Sequence, residues 1–248
     1  MADWDDDIAS MDLTNGEKNG LQVFRNYQRA FEDYREKELS ASISREDYDT
    51  ADLTRVVSLV CSEDLRSIPV IACAFADDLL GAMFRTALPD GVIGGKSSLF
   101  GSYGPLSSFF HRVQLSQVFA LISSDLAETL NVLRKERNKI SHTWDLSKLD
   151  NAFFDQELIR KFPVNDVLGV AIGSIDDIES DRDASVIFRL NVIWLLSRLF
   201  YETICFHRAK SARLDPHKVL YGSNHPKLLN TVSSVAIAAS KKLLSTDK

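Results

Sequence analysis

The chain has 248 residues, 45% hydrophobic and 26% charged, a balance that places it among ordinary globular proteins with a sizeable core. Its formal net charge of -6 argues against wholesale coating of nucleic acid or acidic membrane and confines any nucleic-acid contact to a small site. Cys61, Cys73 and Cys205 lie in apolar helical patterns without metal-like spacing, so buried free thiols and a cytoplasmic setting are expected.

In chain order, residues 1 to about 18 are polar and acidic and are expected to be disordered. The start is acidic where a secretory or mitochondrial leader is basic, and no apolar run reaches membrane-spanning length, so export and membrane insertion are not expected. A charged helix is predicted from about Leu21 to Leu39, with Val23, Phe24, Tyr27, Phe31 and Tyr34 forming an aromatic stripe able to dock on the body or on a partner. These segments make an N-terminal extension over residues 1–45, and residues 46–248 are assigned to one helical bundle domain.

Helices are predicted over 51–61 and from Ile68 or Pro69 to Ala87, the second carrying Asp77 and Asp78 among apolar neighbours. Leu88 to Gly104 holds five of the eleven glycines and therefore reads as a loop, the most flexible internal segment. Gly104-Pro105 is read as opening a helix that runs to about Ile122 and is apolar nearly all round, which suits the middle of a bundle. After Ser123-Ser124, Asp125 and Glu128 make a capping-box-like start to a helix ending near Ser141 or His142, an antiparallel neighbour of the one before. Residues 143–183 are mixed, with a short helix near 155–161 and turns or a minor strand from Val164 to Ile178. Helices from about 184 to 208 and 226 to 244 close the chain. The fold class is all-α: a helical bundle with a polar N-terminal extension and extra C-terminal helices.

The segment richest in chemistry is Arg134 to His142. Leu126, Leu130, Leu133, Arg137 and Ile140 fall on one helical stripe, so Arg137 stands where an apolar residue belongs. A guanidinium there needs a partner or a job, and Asp77 or Asp78 is the natural structural partner of Arg137, or else of Arg112, unless a second protomer supplies one. Arg134, Lys135 and Lys139 read as ordinary charge near a helix C-terminus. Other motifs fall away. Gly91 to Ser98 superficially suggests a phosphate loop, but the first glycine would fall on Asp90 and no strand precedes it. The five histidines form no helical pair and no acid-rich metal signature accompanies them, so neither metal nor cofactor is expected. No Gly-x-Ser-x-Gly nucleophile is present. A helix-turn-helix reading is weakened by Asp125 and Glu128 in the half that would face DNA, which argues against specific DNA binding.

Gly104-Pro105-Leu106-Ser107-Ser108-Phe109, followed by Arg112-Val113-Gln114-Leu115 and Ala120-Leu121-Ile122, resembles the Gly-Pro-Leu and Arg-Leu-x-Leu signature of the mannitol operon repressor family. The resemblance covers roughly residues 50–160 and departs at Gln114, where a basic residue is more usual. It implies Gly104, Pro105, Leu106 and Arg112 as motif residues, and an all-helical transcriptional regulator that works through partner proteins. Arg137-Asn138 with His142 is also similar to the Arg-Asn-x-x-x-His string of the HEPN superfamily. That likeness implies a metal-independent endoribonuclease in which arginine and histidine of two protomers meet across a dimer seam. His142 would then move the proton at the ribose 2′-hydroxyl or leaving oxygen, Arg137 would stabilise phosphorane charge, and Asn138 would orient them. The leading expectation is a homodimeric regulator acting by protein contact. The alternative is a HEPN-type ribonuclease, a toxin or defence effector acting on RNA. A third is an interaction module using the aromatic helix.

Overall fold

The computed structural model describes residues 4–142, 184–221 and 226–246, and among them the regular structure is entirely helical. The predicted helix near 155–161 and the Val164–Ile178 segment lie outside the described residues. In chain order the helices are α1 (Asp6–Ser10), α2 (Asn15–Arg45), α3 (Ala51–Ser62), α4 (Ile68–Ala87), α5 (Gly95–Phe100), α6 (Phe109–Val118) and α7 (Ser124–His142). The last three are α8 (Ala184–Ser211), α9 (Pro216–Tyr221) and α10 (Lys227–Thr246). This is an all-α helical bundle, and no described helix is long and apolar enough to cross a membrane.

The centre belongs to α8, which packs on α10, α4, α3, α9, α2 and α7. Val192, Ile193, Leu195, Leu196, Leu199, Tyr201, Cys205 and Ala209 are all buried, and their spacing puts apolar groups on every side of the helix. Each fully buried leucine contributes about 2 kcal/mol of transfer free energy. The buried hydroxyls of Ser197 and Thr203 donate to the carbonyls of Ile193 and Leu199, which satisfies those two donors, whereas the buried Asn191 side-chain nitrogen on the same helix has no hydrogen-bond partner among the described residues.

The helix expected in the middle is instead shorter and peripheral. It begins at Phe109, with Ser108 as its cap accepting from the His111 amide at 3.3 Å, and Pro105 stays in the preceding turn. Phe110, Val118 and Phe119 are exposed, so its apolar surface is only partly covered. Within the glycine-rich segment, Gly94 and Gly95 take positive φ of 77° and start the short helix α5. Of the three cysteines, all free, Cys73 and Cys205 are buried and Cys61 is half-buried.

In the N-terminal extension, Asp6–Ser10 forms the short helix α1 and α2 begins at Asn15, ahead of the predicted Leu21. Thr14 and Glu17 form a capping box that starts α2 at Asn15. Asp5 and Asp7 pair with Arg25, and Asp5 with Arg29, which folds α1 back along α2. The Arg29 and Arg25 guanidiniums hold the Asp5 carboxyl at about 2.

Candidate functional site

The site builds from three helices, since α4, α6 and α7 pack on one another. The start of α7 is fixed by a buried carboxylate from α8. The Ser123 amide donates to Glu202 Oε2 at 2.7 Å and its hydroxyl to Oε1 at 2.9 Å, so a negative group caps the positive end of the helix. Arg198 donates from Nε to Glu202 at 2.8 Å and makes a two-pronged contact with Asp125 at 2.6 and 3.0 Å. The Tyr221 hydroxyl adds a fourth bond to Glu202 at 3.1 Å. Burial, reinforced by the Glu202 charge, pushes the Tyr221 phenol well above its usual range. Burial also raises the Asp125 carboxyl, but the bonds and charge of Arg198 outweigh it and hold the group below its ordinary value. Neither Glu202 nor Arg198 stood out in the sequence. Their only local signal is an acid and a base four residues apart in an apolar helix.

Leu126, Leu130, Leu133 and Ile140 are buried along α7 as the stripe requires, and Arg137 on the same stripe is half-buried. Glu136 is also buried, with its carboxylate accepting from Lys139 at 2.5 Å, a pair the stripe count did not single out. Arg137 donates from Nε and Nη2 to Asn138 Oδ1 at 3.2 and 2.9 Å. Its charge reaches α4, where it favours ionisation of both Cys73 and Asp77, although burial dominates and pushes the Cys73 thiol up to about 11. Arg134 is held by Asn131 Oδ1 and lies 4.8 Å over the Phe110 ring; Lys135 is exposed. The side chain of His142 lies outside the described residues.

The direct partner of Asp77 is Arg112, at 2.8 Å, while Asp78 is exposed. Arg112 also donates to the carbonyls of Leu106 at 2.9 Å and Asp77 at 3.1 Å, and its guanidinium lies 5.5 Å from the Phe100 ring centre. Gly81 leaves room for this guanidinium, since a Cβ there would stand 3.3 Å from Arg112 Nη1. Gly104 serves the same knot. A Cβ on it would meet the Leu99 carbonyl oxygen at 2.2 Å, a close approach that only glycine permits. Leu106, buried beside this turn, donates its amide to the Leu99 carbonyl. Gly104, Leu106 and Arg112 therefore meet in one turn-to-helix junction, with Pro105 exposed beside it, and Asp77 locks that junction to α4. Burial raises the Asp77 carboxyl above its ordinary value against the opposing pull of Arg112.

Chemically, the α4, α6 and α7 faces hold arginines in fixed orientations beside aromatic rings. Among the described residues no group of three or more His, Cys, Asp or Glu side chains is placed to hold a metal ion. No family model, no curated protein and no solved structure matches this chain.

Proposed function

We propose that the chain is a cytoplasmic, homodimeric transcriptional regulator that acts by contact with other proteins, the activity implied by its resemblance to the mannitol operon repressor family. The observation that supports this reading is the outer face of α2. Phe24, Tyr27, Phe31 and Tyr34 are 58, 70, 52 and 61% exposed, and Val23 beside them is 68% exposed. Contiguous apolar surface of that kind on a polar background marks an interaction site. The motif around Arg112 fits a regulator equally well, because its residues are occupied with holding α4, α6 and the preceding turn together.

A second reading, a HEPN-type endoribonuclease acting on RNA, draws on one observation. Asn138 holds two nitrogens of Arg137, the kind of fixed guanidinium that a developing phosphorane charge requires.

One genetic experiment separates them. The coding region is deleted in its native host, transcript levels are measured, and the strain is complemented with wild type, Phe24→Asp/Phe31→Asp, or Arg137→Ala/His142→Ala. Restoration by wild type and by the Arg137/His142 variant, but not by the α2 variant, is expected. The reverse pattern, together with chelator-resistant cleavage of labelled RNA by the purified wild-type protein, would replace the regulator by the nuclease.

A further inference from the structure

We infer that the aromatic face of α2 pairs with α2 of a second copy of the chain in antiparallel orientation, making the extension a dimerisation arm. The inference rests on the protein-contact reading and names the occupant of that surface. The arm shape follows from where the bonds of α2 go. Its C-terminal third is anchored to the body: Glu36 pairs with Lys218, Arg35 donates to the Ala212 carbonyl, and Ile43 is buried in the core. Glu46, at its C-cap, accepts both guanidinium nitrogens of Arg208. Its N-terminal half is bonded instead to the first residues of the chain. The Trp4 indole donates to Asn19, the Asp5 amide donates to Gln22, and Arg25 and Arg29 pair with the two acids.

Helical geometry then decides which face is left. At 100° per residue, Gln22, Arg25 and Arg29 cluster on the side that α1 covers, and Phe24, Tyr27, Phe31 and Tyr34 lie on the opposite side. Their alternating spacing of three and four residues is the seam pattern of a two-helix coil rather than the broader stripe of a core helix. Between Gly20 and Glu38 no seam position holds a charged residue, although the Arg35 guanidinium lies 5.8 Å from the centre of the Phe31 ring at the seam's edge.

The order of residues selects a second copy. Phe24 and Tyr34 are equally distant from the point midway between Tyr27 and Phe31, so the seam is symmetric about its own centre. Antiparallel pairing places Phe24 against Tyr34 and Tyr27 against Phe31 in every layer, one ring with a hydroxyl facing one without. Parallel pairing would stack tyrosine hydroxyls against each other. Antiparallel pairing also sets Glu38 opposite Gly20, whose missing side chain leaves space for the carboxylate to reach water. The exposed parts of Val23 and the four aromatic side chains come to about 600 Å² per protomer, so complete covering would bury at most about 1,200 Å², the lower edge of the range for specific interfaces.

The test uses the full chain. Sedimentation equilibrium of wild type at micromolar concentration should give twice the monomer mass, and Phe24→Asp/Phe31→Asp should give the monomer mass with an unchanged helical circular dichroism spectrum. For orientation, Phe24→Cys and Tyr34→Cys are made separately on a Cys61→Ser background. Oxidation of the mixture should yield a cross-linked dimer that neither variant forms alone. A wild-type monomer at every concentration, a dimer that survives the double aspartate variant, or cross-linking by Phe24→Cys alone would each overturn the pairing. The transcript experiment fails separately. A monomeric wild type whose α2 variant still loses regulation would leave protein contact standing with a different partner. A dimer whose α2 variant restores regulation would do the opposite.

Discussion

The two ends of α7 hold similar charged residues in opposite circumstances. At the start, Glu202 is fully buried and accepts four hydrogen bonds, two of them from Ser123, and Arg198 bridges it to Asp125. At the end, Arg137 is half-buried and its described bonds go to its neighbour Asn138. A charge locked in the dry by partners from another helix fixes geometry, and changing it disturbs the fold. The Arg137 end is more exposed to solvent, so a change there should disturb the fold less.

The contrast can be broken in four ways. Glu202→Ala should have the largest effect, a loss of about 3–5 kcal/mol in denaturant unfolding, because it leaves Arg198 and the Ser123 amide without their buried partner. A loss under about 1 kcal/mol would mean that water reaches the knot and that the two ends do not differ. Arg112→Met should cost about 2 kcal/mol by stranding the Asp77 carboxylate. In a double-mutant cycle with Arg137→Ala the costs should not add, since Asp77 senses both arginines; strict additivity would detach the α7 end from α4. Arg137→Ala alone should cost about 1 kcal/mol or less, as expected for a half-exposed group.

The smallest effect is in pH dependence, and its sign differs between the ends. Asp125 lies below its ordinary value in the folded chain, so its pairing stabilises above the unfolded carboxyl range and is lost as pH falls through the lower folded value. Asp77 lies above its ordinary value, so its contribution is greatest in acid and is lost as pH rises through the folded value. Unfolding midpoints should therefore show Asp125→Asn destabilising at pH 6 and neutral in strong acid. Asp77→Asn should be neutral or slightly stabilising at pH 6. The same sign for both would remove the distinction.

Local signals read correctly where one helix decides its own boundaries. Ile68–Ala87 matches its predicted span because Pro69 sits in the first turn and Leu88-Pro89 ends it. The α2 stripe was legible from its period, although the capping box at Thr14 and Glu17 extended the helix into residues expected to be disordered. The start of α6 was misread because Gly104 and Pro105 imitate a helix opening. Gly104 is needed for its approach to the Leu99 carbonyl, and Ser108 is the actual cap.

What the amino-acid order settled by itself was the helical class and the spans of most of the long helices, since backbone periodicity is local; it did not settle that one side of α6 stays exposed. Tertiary structure alone decided which charges meet. Asp77 was a candidate for either Arg137 or Arg112, and the crossing of α4 with α6 brings it to Arg112. Glu202 caps a helix 79 positions away in sequence, a pairing with no local trace. It also decided that α8 occupies the centre and that, among the described residues, the aromatic face of α2 stays uncovered. Burial and ion pairing depend on which helices converge, and convergence is a property of the whole packed chain.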